Sequence, residues 1–157
     1  MVNSIRHWLR AARLIEISSD KKEVTLLGRK IFSQDGWDPY LEDEATIWLI
    51  HWLMATNPQH ATAWYWFFNR FHKPEFTSKE VASALIGFAT EQITSKTSIT
   101  TIKHDAAVLL RMYVQKRNNQ KITLEEALDS PLSLLNLITY SSSTRAYQSK
   151  LTRRDGR

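Results

Sequence analysis

Apolar residues at Val2, Ile5, Leu9 and Ala12 recur at the three- and four-residue spacing of one helix face, which predicts a helix over 1–13. The same spacing leaves Asn3, Arg6, His7 and Arg10 as a contiguous polar arc. No capping residue precedes Met1, so this helix opens without the usual partner for its first backbone donors. The pattern then shortens to two strands, around Leu14–Ile17 and Glu23–Thr25, that flank the polar turn SSDKK. A short helix follows over Leu26–Phe32, and QDGWDP closes the unit with Gly36 and Pro39 as punctuation.

Residues 40–56 read as a helix apolar nearly all the way round (Ile47, Trp48, Leu49, Ile50, Trp52, Leu53, Met54), the pattern of a helix in the middle of a core. Asn57 and Pro58 then have the right chemistry for the cap and first position of another helix, which carries ATAWYWFFNRF. On it Trp64, Phe67, Phe68 and Phe71 fall within an arc of about 100 degrees, the width of a buried stripe pressed against the preceding helix. Trp66 points the other way, one turn from Arg70, and that pair is left as the one able to form a cation–π contact and touch a base or a partner.

Thr77 and Glu80 have the spacing of a capping box, which starts a helix over TSKEVASALIGFATEQ. Ile102, Ala106, Leu109, Leu110 and Tyr113 predict a further helix, Thr123 and Glu126 repeat the capping-box spacing for a short one ending near Asp129, and a second hairpin is expected around SSST. The fold class is therefore mainly α, with a partial winged helix-turn-helix unit followed by an orthogonal helical bundle and one or two short β-hairpins. The expected organisation is a partial winged-helix unit over 1–36, a helical lobe over 37–150 with the second hairpin near 137–148, and a frayed tail over 151–157.

Charge changes the picture more than composition does. The 157 residues are 43% hydrophobic and 11% aromatic, enough to bury a core, and the absence of cysteine removes disulfide, thiol and thiolate-metal chemistry and fits a cytoplasmic protein. No apolar run approaches the roughly 20 residues that span a bilayer, so no membrane partner is expected. A net charge of +5 and a pI near 9.6 permit a nucleic-acid partner. Basic residues gather at both ends, while Asp35, Asp38, Glu42, Asp43 and Glu44 form one acidic stretch.

Helix, hairpin, helix with a basic first face is the order of the back half of a winged helix-turn-helix. In that reading Asn3, Arg6, His7 and Arg10 face the major groove of double-stranded DNA, and Lys21 and Lys22 at the hairpin tip meet phosphates. The bland alternative is a solvated helix face and a solvated turn. Catalytic signals are missing: the five histidines show no metal-ligand pairing, His51 reads as a hydrogen-bonded core histidine, and no glycine-rich loop cradles a phosphate. The carboxylates of 35–43 would hold a hard cation only if they gathered at one pocket, and their ordinary role is a turn and a helix N-terminus. No enzyme, no cofactor and no metal site is expected.

NSIRHWLRAARLIE, VTLLGRKIF, DGWDPYLEDEATIWLIHWLMATNP and ATAWYWFFN together resemble an uncharacterised bacterial and archaeal family, domain of unknown function 4007, with weaker similarity through TSKEVASAL, HDAAVLLRMYV and DSPLSLLNLI. Members of that family are usually longer at the N-terminus, so the chain resembles a member lacking its front part. The family's genes tend to lie beside sulfur-transfer and restriction-type genes related to DNA phosphorothioation. The resemblance thus implies an accessory, non-catalytic role in DNA modification or defence, through DNA itself or as a protein–protein scaffold in such a complex.

Overall fold

A computed structural model describes residues 2–92, 97–114 and 130–150, with side chains from residue 6 onward. The helix expected from Thr123 to Asp129 and the tail over 151–157 lie outside the described residues. In order, the chain forms α1 (Val2–Ala11), β1 (Ile15–Ser18), β2 (Lys21–Val24), α2 (Leu26–Phe32), α3 (Glu44–Ala55), α4 (Thr62–Arg70), β3 (Glu75–Phe76), α5 (Ser78–Gln92), α6 (Ile99–Tyr113), a 3₁₀ turn (Pro131–Leu135), β4 (Ile138–Ser141) and β5 (Ala146–Ser149). It is mostly helical with two small antiparallel sheets, as the pattern predicts. Two compact units divide between Tyr65 and Trp66, inside α4, whereas the sequence reading put a boundary after Gly36.

The first unit owes its extent to a few hydrogen bonds that sequence spacing does not reveal. Helix α1 ends in a Schellman-type turn, in which Leu14 N donates to Leu9 O at 2.8 Å and Arg13 N to Arg10 O at 3.0 Å. The left-handed position, usually glycine, is Arg13 at φ 57°, a conformation that costs an L-residue about 1 kcal/mol. The Arg13 guanidinium donates to Thr56 O at 3.3 Å, and the Asn57 side-chain amide donates to Ala11 O at 3.0 Å. Both bonds fasten the end of α3 to the end of α1. Trp8 and Trp64 meet edge to face at 4.6 Å in the same unit.

The β1–β2 hairpin closes on two residues, Ser19 and Asp20, both at positive φ, as a tight turn between twisted strands requires. Thr25, expected at the end of the second strand, instead caps α2: its hydroxyl accepts from Gly28 N at 3.0 Å and donates to Arg13 O at 2.9 Å. Gly28 sits where this cap meets the chain leaving α1, and a Cβ there would lie 2.5 Å from Leu14 O and 2.9 Å from Val24 Cγ1. Mid-helix Gly→Ala ordinarily gains about 1 kcal/mol. Here Gly28→Ala should destabilise by about 1–3 kcal/mol, because the nearest clash is with backbone. A urea midpoint equal to or above that of the parent would refute the packing argument.

Helix α3 departs from expectation at both its start and its surface. It begins at Glu44 rather than Tyr40, because Asp38 takes the N–H groups of Glu42 and Asp43 at 2.8 and 3.0 Å and Leu41 turns left-handed at φ 56°. Asp43 then caps the helix by accepting from Ala45 N at 2.9 Å. Nor is α3 buried all round: Ile47, His51, Leu53 and Met54 are buried, but Trp48 and Trp52, one turn apart, are 42% and 58% exposed. Asn57 does cap, though only one turn, accepting from His60 N at 3.2 Å; α4 itself starts at Thr62.

The second unit is built around the aromatic run. Phe67, 1% exposed, stacks on Phe71 at 5.3 Å and meets Phe76 edge to face at 5.5 Å, while Phe68 lies 4.9 Å from the buried Tyr113. The expected stripe is therefore split, since Trp64 belongs to the first unit and Phe67, Phe68 and Phe71 to the second. The capping box at α5 forms as expected, Glu80 N donating to Thr77 Oγ1 and Thr77 N to Glu80 Oε2 at 2.7 Å. Helices α5 and α6 pack on each other, with Ile102, Ala106, Leu109, Leu110 and Tyr113 all buried. The expected hairpin is β4–β5, and Glu75–Phe76 adds a third strand along β5 that two residues of sequence do not announce.

Candidate nucleic-acid interface

Helical spacing places Arg6, His7 and Arg10 on one side of α1, where His7 and Arg10 are exposed and Arg6 half-buried. Asn3 lies on the same helix, its side chain outside the described residues. The fold enlarges this arc. Because Asn57 and Thr56 are bonded to Ala11 and Arg13, the turn after them brings half-buried His60 to the same place. Partial burial lowers the His60 pKa, and the charges of Arg10, His7 and Arg13 lower it further. Arg10 and Arg13 thus gather with His7 and His60 in one basic cluster drawn from residues up to about fifty positions apart.

Sequence reasoning missed Arg13 and His60 as members. Arg13 looked like the last residue of a helix, and His60 carries no spacing signal toward α1. The hairpin lysines also differ from expectation. They do not form the tip, which is Ser19 and Asp20, but occupy the first two positions of β2, with Lys21 opposite Ser18 and Lys22 opposite Ile17. Neighbours along a strand point to opposite faces, so Lys21 shares a face with Glu16 and Glu23, and Lys22 with Ile17. One ribbon face cannot present both lysines to a phosphate backbone.

The profile of DUF4007, a family described as protein of unknown function, matches residues 1–156. The chain belongs to the DUF4007 family. Two solved structures are similar to it: an SspB crystal structure, with TM-score 0.79 and 22% identity, and a magnesium ion-bound SspB crystal structure, with TM-score 0.78 and 21% identity. Each match covers 96% of this chain but 47% of the other, so the DUF4007 chain spans about half the length of the structures it matches. At that identity the likeness shows a shared fold. None of the curated proteins compared matches the chain.

The remaining candidates in this DUF4007 chain resolve differently. Trp66, reserved as a base or partner contact with Arg70, is 5% exposed and lies against Phe71 at 5.1 Å and Phe88 at 6.3 Å. Its ring is core, so that assignment is withdrawn; Arg70 stays exposed. Among the described residues a cation–π contact joins Lys30 to Trp37 at 5.8 Å. The most exposed aromatic side chains are in the first unit, where Trp37 and Tyr40 are 67% and 79% exposed and Trp48 and Trp52 are exposed on α3. The signal for Tyr40 was Asp38, which keeps it out of the helix.

Among the described residues no three His, Asp or Glu side chains converge to hold a metal ion. Burial raises the Asp38 pKa, but hydrogen bonds from Glu42 and Asp43 N–H, the Thr46 hydroxyl and Leu41 N–H outweigh it and leave the carboxyl below its ordinary value. His51 is buried as expected, and desolvation pushes its pKa from 6.5 down to about 4. Unfolded chains therefore bind a proton at this residue, between pH 6.5 and about 4, that the folded protein refuses. Stability should fall as pH falls through that window, by about 3 kcal/mol in total from this group. In His51→Gln, denaturation midpoints measured from pH 7 to 4 should decline less steeply; an unchanged slope would exclude His51 as the source. Among the described residues no helix is long and apolar enough to cross a membrane.

Proposed function

We propose that the chain is a non-catalytic, DNA-associated accessory protein of a DNA modification or restriction system of the phosphorothioation type. In this reading α1 and the β1–β2 ribbon act as the recognition helix and wing of a winged-helix unit, with Arg6, His7 and Arg10 toward duplex DNA. The observation that carries the reading is the basic cluster at the C-terminal end of α1. Bringing His7, Arg10, Arg13 and His60 together costs electrostatic free energy that a polyanion would repay. The biological setting rests on the gene neighbourhood that the resemblance to this family implies. The non-catalytic part rests on the acidic stretch: magnesium takes carboxylate oxygens in near-octahedral geometry, and here Asp38 spends both of its oxygens on the N–H groups of 42 and 43 and Asp43 one of its own on that of 45.

The test is duplex binding by fluorescence anisotropy across a salt series, with the parent chain and an Arg6→Glu, Arg10→Glu variant. Phosphate-dominated binding must weaken steeply as salt rises. Absence of duplex binding at low salt would turn the argument to a second reading, a scaffold module within such a complex. That reading is favoured by one observation, the exposed set Trp37, Tyr40, Trp48 and Trp52. Its partner should co-purify and survive nuclease treatment.

A further inference from the structure

We propose that Arg13 and His60, with Arg10 and His7, form a phosphate-binding site that takes up a proton at His60 when the phosphate docks. The inference rests on the same face of α1 as the proposed DNA reading, but its ligand is the phosphate group itself, whatever molecule carries it.

The geometry comes from three bonds. Asn57 Nδ2 to Ala11 O and Arg13 Nη2 to Thr56 O pin the 56–57 junction to the last turn of α1, and Asn57 Oδ1 then holds the N–H of His60 at 3.2 Å. His60 is thereby fixed through its backbone on a one-turn support, and the residue is half-buried. The charged groups acting on it are Arg10 and His7 from α1 and Arg13 from the left-handed turn after α1. On its own turn Pro58 and Gln59 carry no charge. Arg13 uses one guanidinium N–H on Thr56 O, and a guanidinium has five such donors, so it can serve as anchor and ligand together.

The chemistry follows from the signs. Without an anion, His60 faces three cationic or ionisable neighbours and a partly desolvated setting, both of which favour the neutral ring. A phosphate dianion among Arg10, Arg13 and His7 reverses the local field and accepts hydrogen bonds, so the imidazolium form of His60 becomes a ligand. Proton and phosphate must then favour each other to the same degree, since coupling between two binding events is reciprocal.

Inorganic pyrophosphate is the probe, and the readout is the titration of each histidine ring by NMR with and without it. Saturating pyrophosphate should raise the His60 midpoint by about one pH unit, equivalent to about tenfold tighter pyrophosphate binding to the protonated form. His104, exposed on α6, is the control and should not move. In His60→Gln, which keeps the backbone bond to Asn57, pyrophosphate affinity should become nearly independent of pH, while Arg13→Gln should weaken it at every pH. A His60 midpoint unmoved by saturating pyrophosphate, or a pH dependence that survives His60→Gln, would overturn the proposal. If pyrophosphate shifts His60 but duplex DNA does not bind, the phosphate site stands and the DNA reading fails. Duplex binding with no shift of His60 has the opposite meaning.

Discussion

Phe67→Ala lowers the unfolding free energy of the chain by about 3–5 kcal/mol, the range for removing a fully buried aromatic ring. The loss is at the high end for single substitutions because the ring is a hub. Trp66, Phe68, Phe71 and Phe76 all lie within 6.4 Å of it, and Phe76 in turn stacks on Tyr147 of β5 at 5.9 Å. Losing it leaves a cavity bounded by stiff rings, each held by another, so the site collapses poorly. The loss should appear in urea unfolding followed by near-ultraviolet circular dichroism, which reports the packing of these rings. Trp52→Ala, on the exposed edge of α3, should change stability by less than about 1 kcal/mol. Equal losses for the two would mean that burial is not what distinguishes them.

The second large effect concerns binding. In Arg6→Glu, Arg10→Glu two positive groups become negative on one face of α1, and duplex affinity at low salt should fall by about 100-fold or more. The slope of log affinity against log salt should also become shallower by about 2, one for each phosphate contact removed. The helix itself should persist, since Arg10 is exposed, Arg6 is half-exposed, and Glu is about as good a helix former as Arg. The hairpin lysines add a finer expectation: because Lys21 and Lys22 lie on opposite faces of the ribbon, Lys21→Gln and Lys22→Gln should cost unequal amounts. An unchanged affinity in the double variant would remove α1 from the interface.

The two capping predictions in the described chain illustrate how far local chemistry reaches. Thr77 and Glu80 satisfy each other's backbone N–H groups three residues apart, so their spacing alone specifies the start of α5. Asn57 also caps, but its side chain has a second bond, to Ala11, forty-six residues away. That long-range bond has no periodic signature. Likewise the aromatic periodicity of 61–71 announces the burial of Trp64 and Phe67, yet it leaves Phe68 and Phe71 half-buried and misplaces Trp66, because a ring on the far side of a helix is exposed only if no other element covers it. Phe88 of α5 comes within 6.3 Å of that side.

The sequence by itself determined what depends on neighbours in the chain: α2 and the capped α5, the buried face of α6, both hairpins, the polar arc of α1 and the resemblance to DUF4007. Tertiary structure alone decided which surfaces remain for function. It buried Trp66, exposed Trp48 and Trp52, and carried His60 to Arg10 and Arg13. The physical reason is range. Caps, turns and helix faces are settled by hydrogen bonds and steric preferences a few residues apart, whereas exposure and clustered charge depend on contacts between segments that only the folded chain brings together.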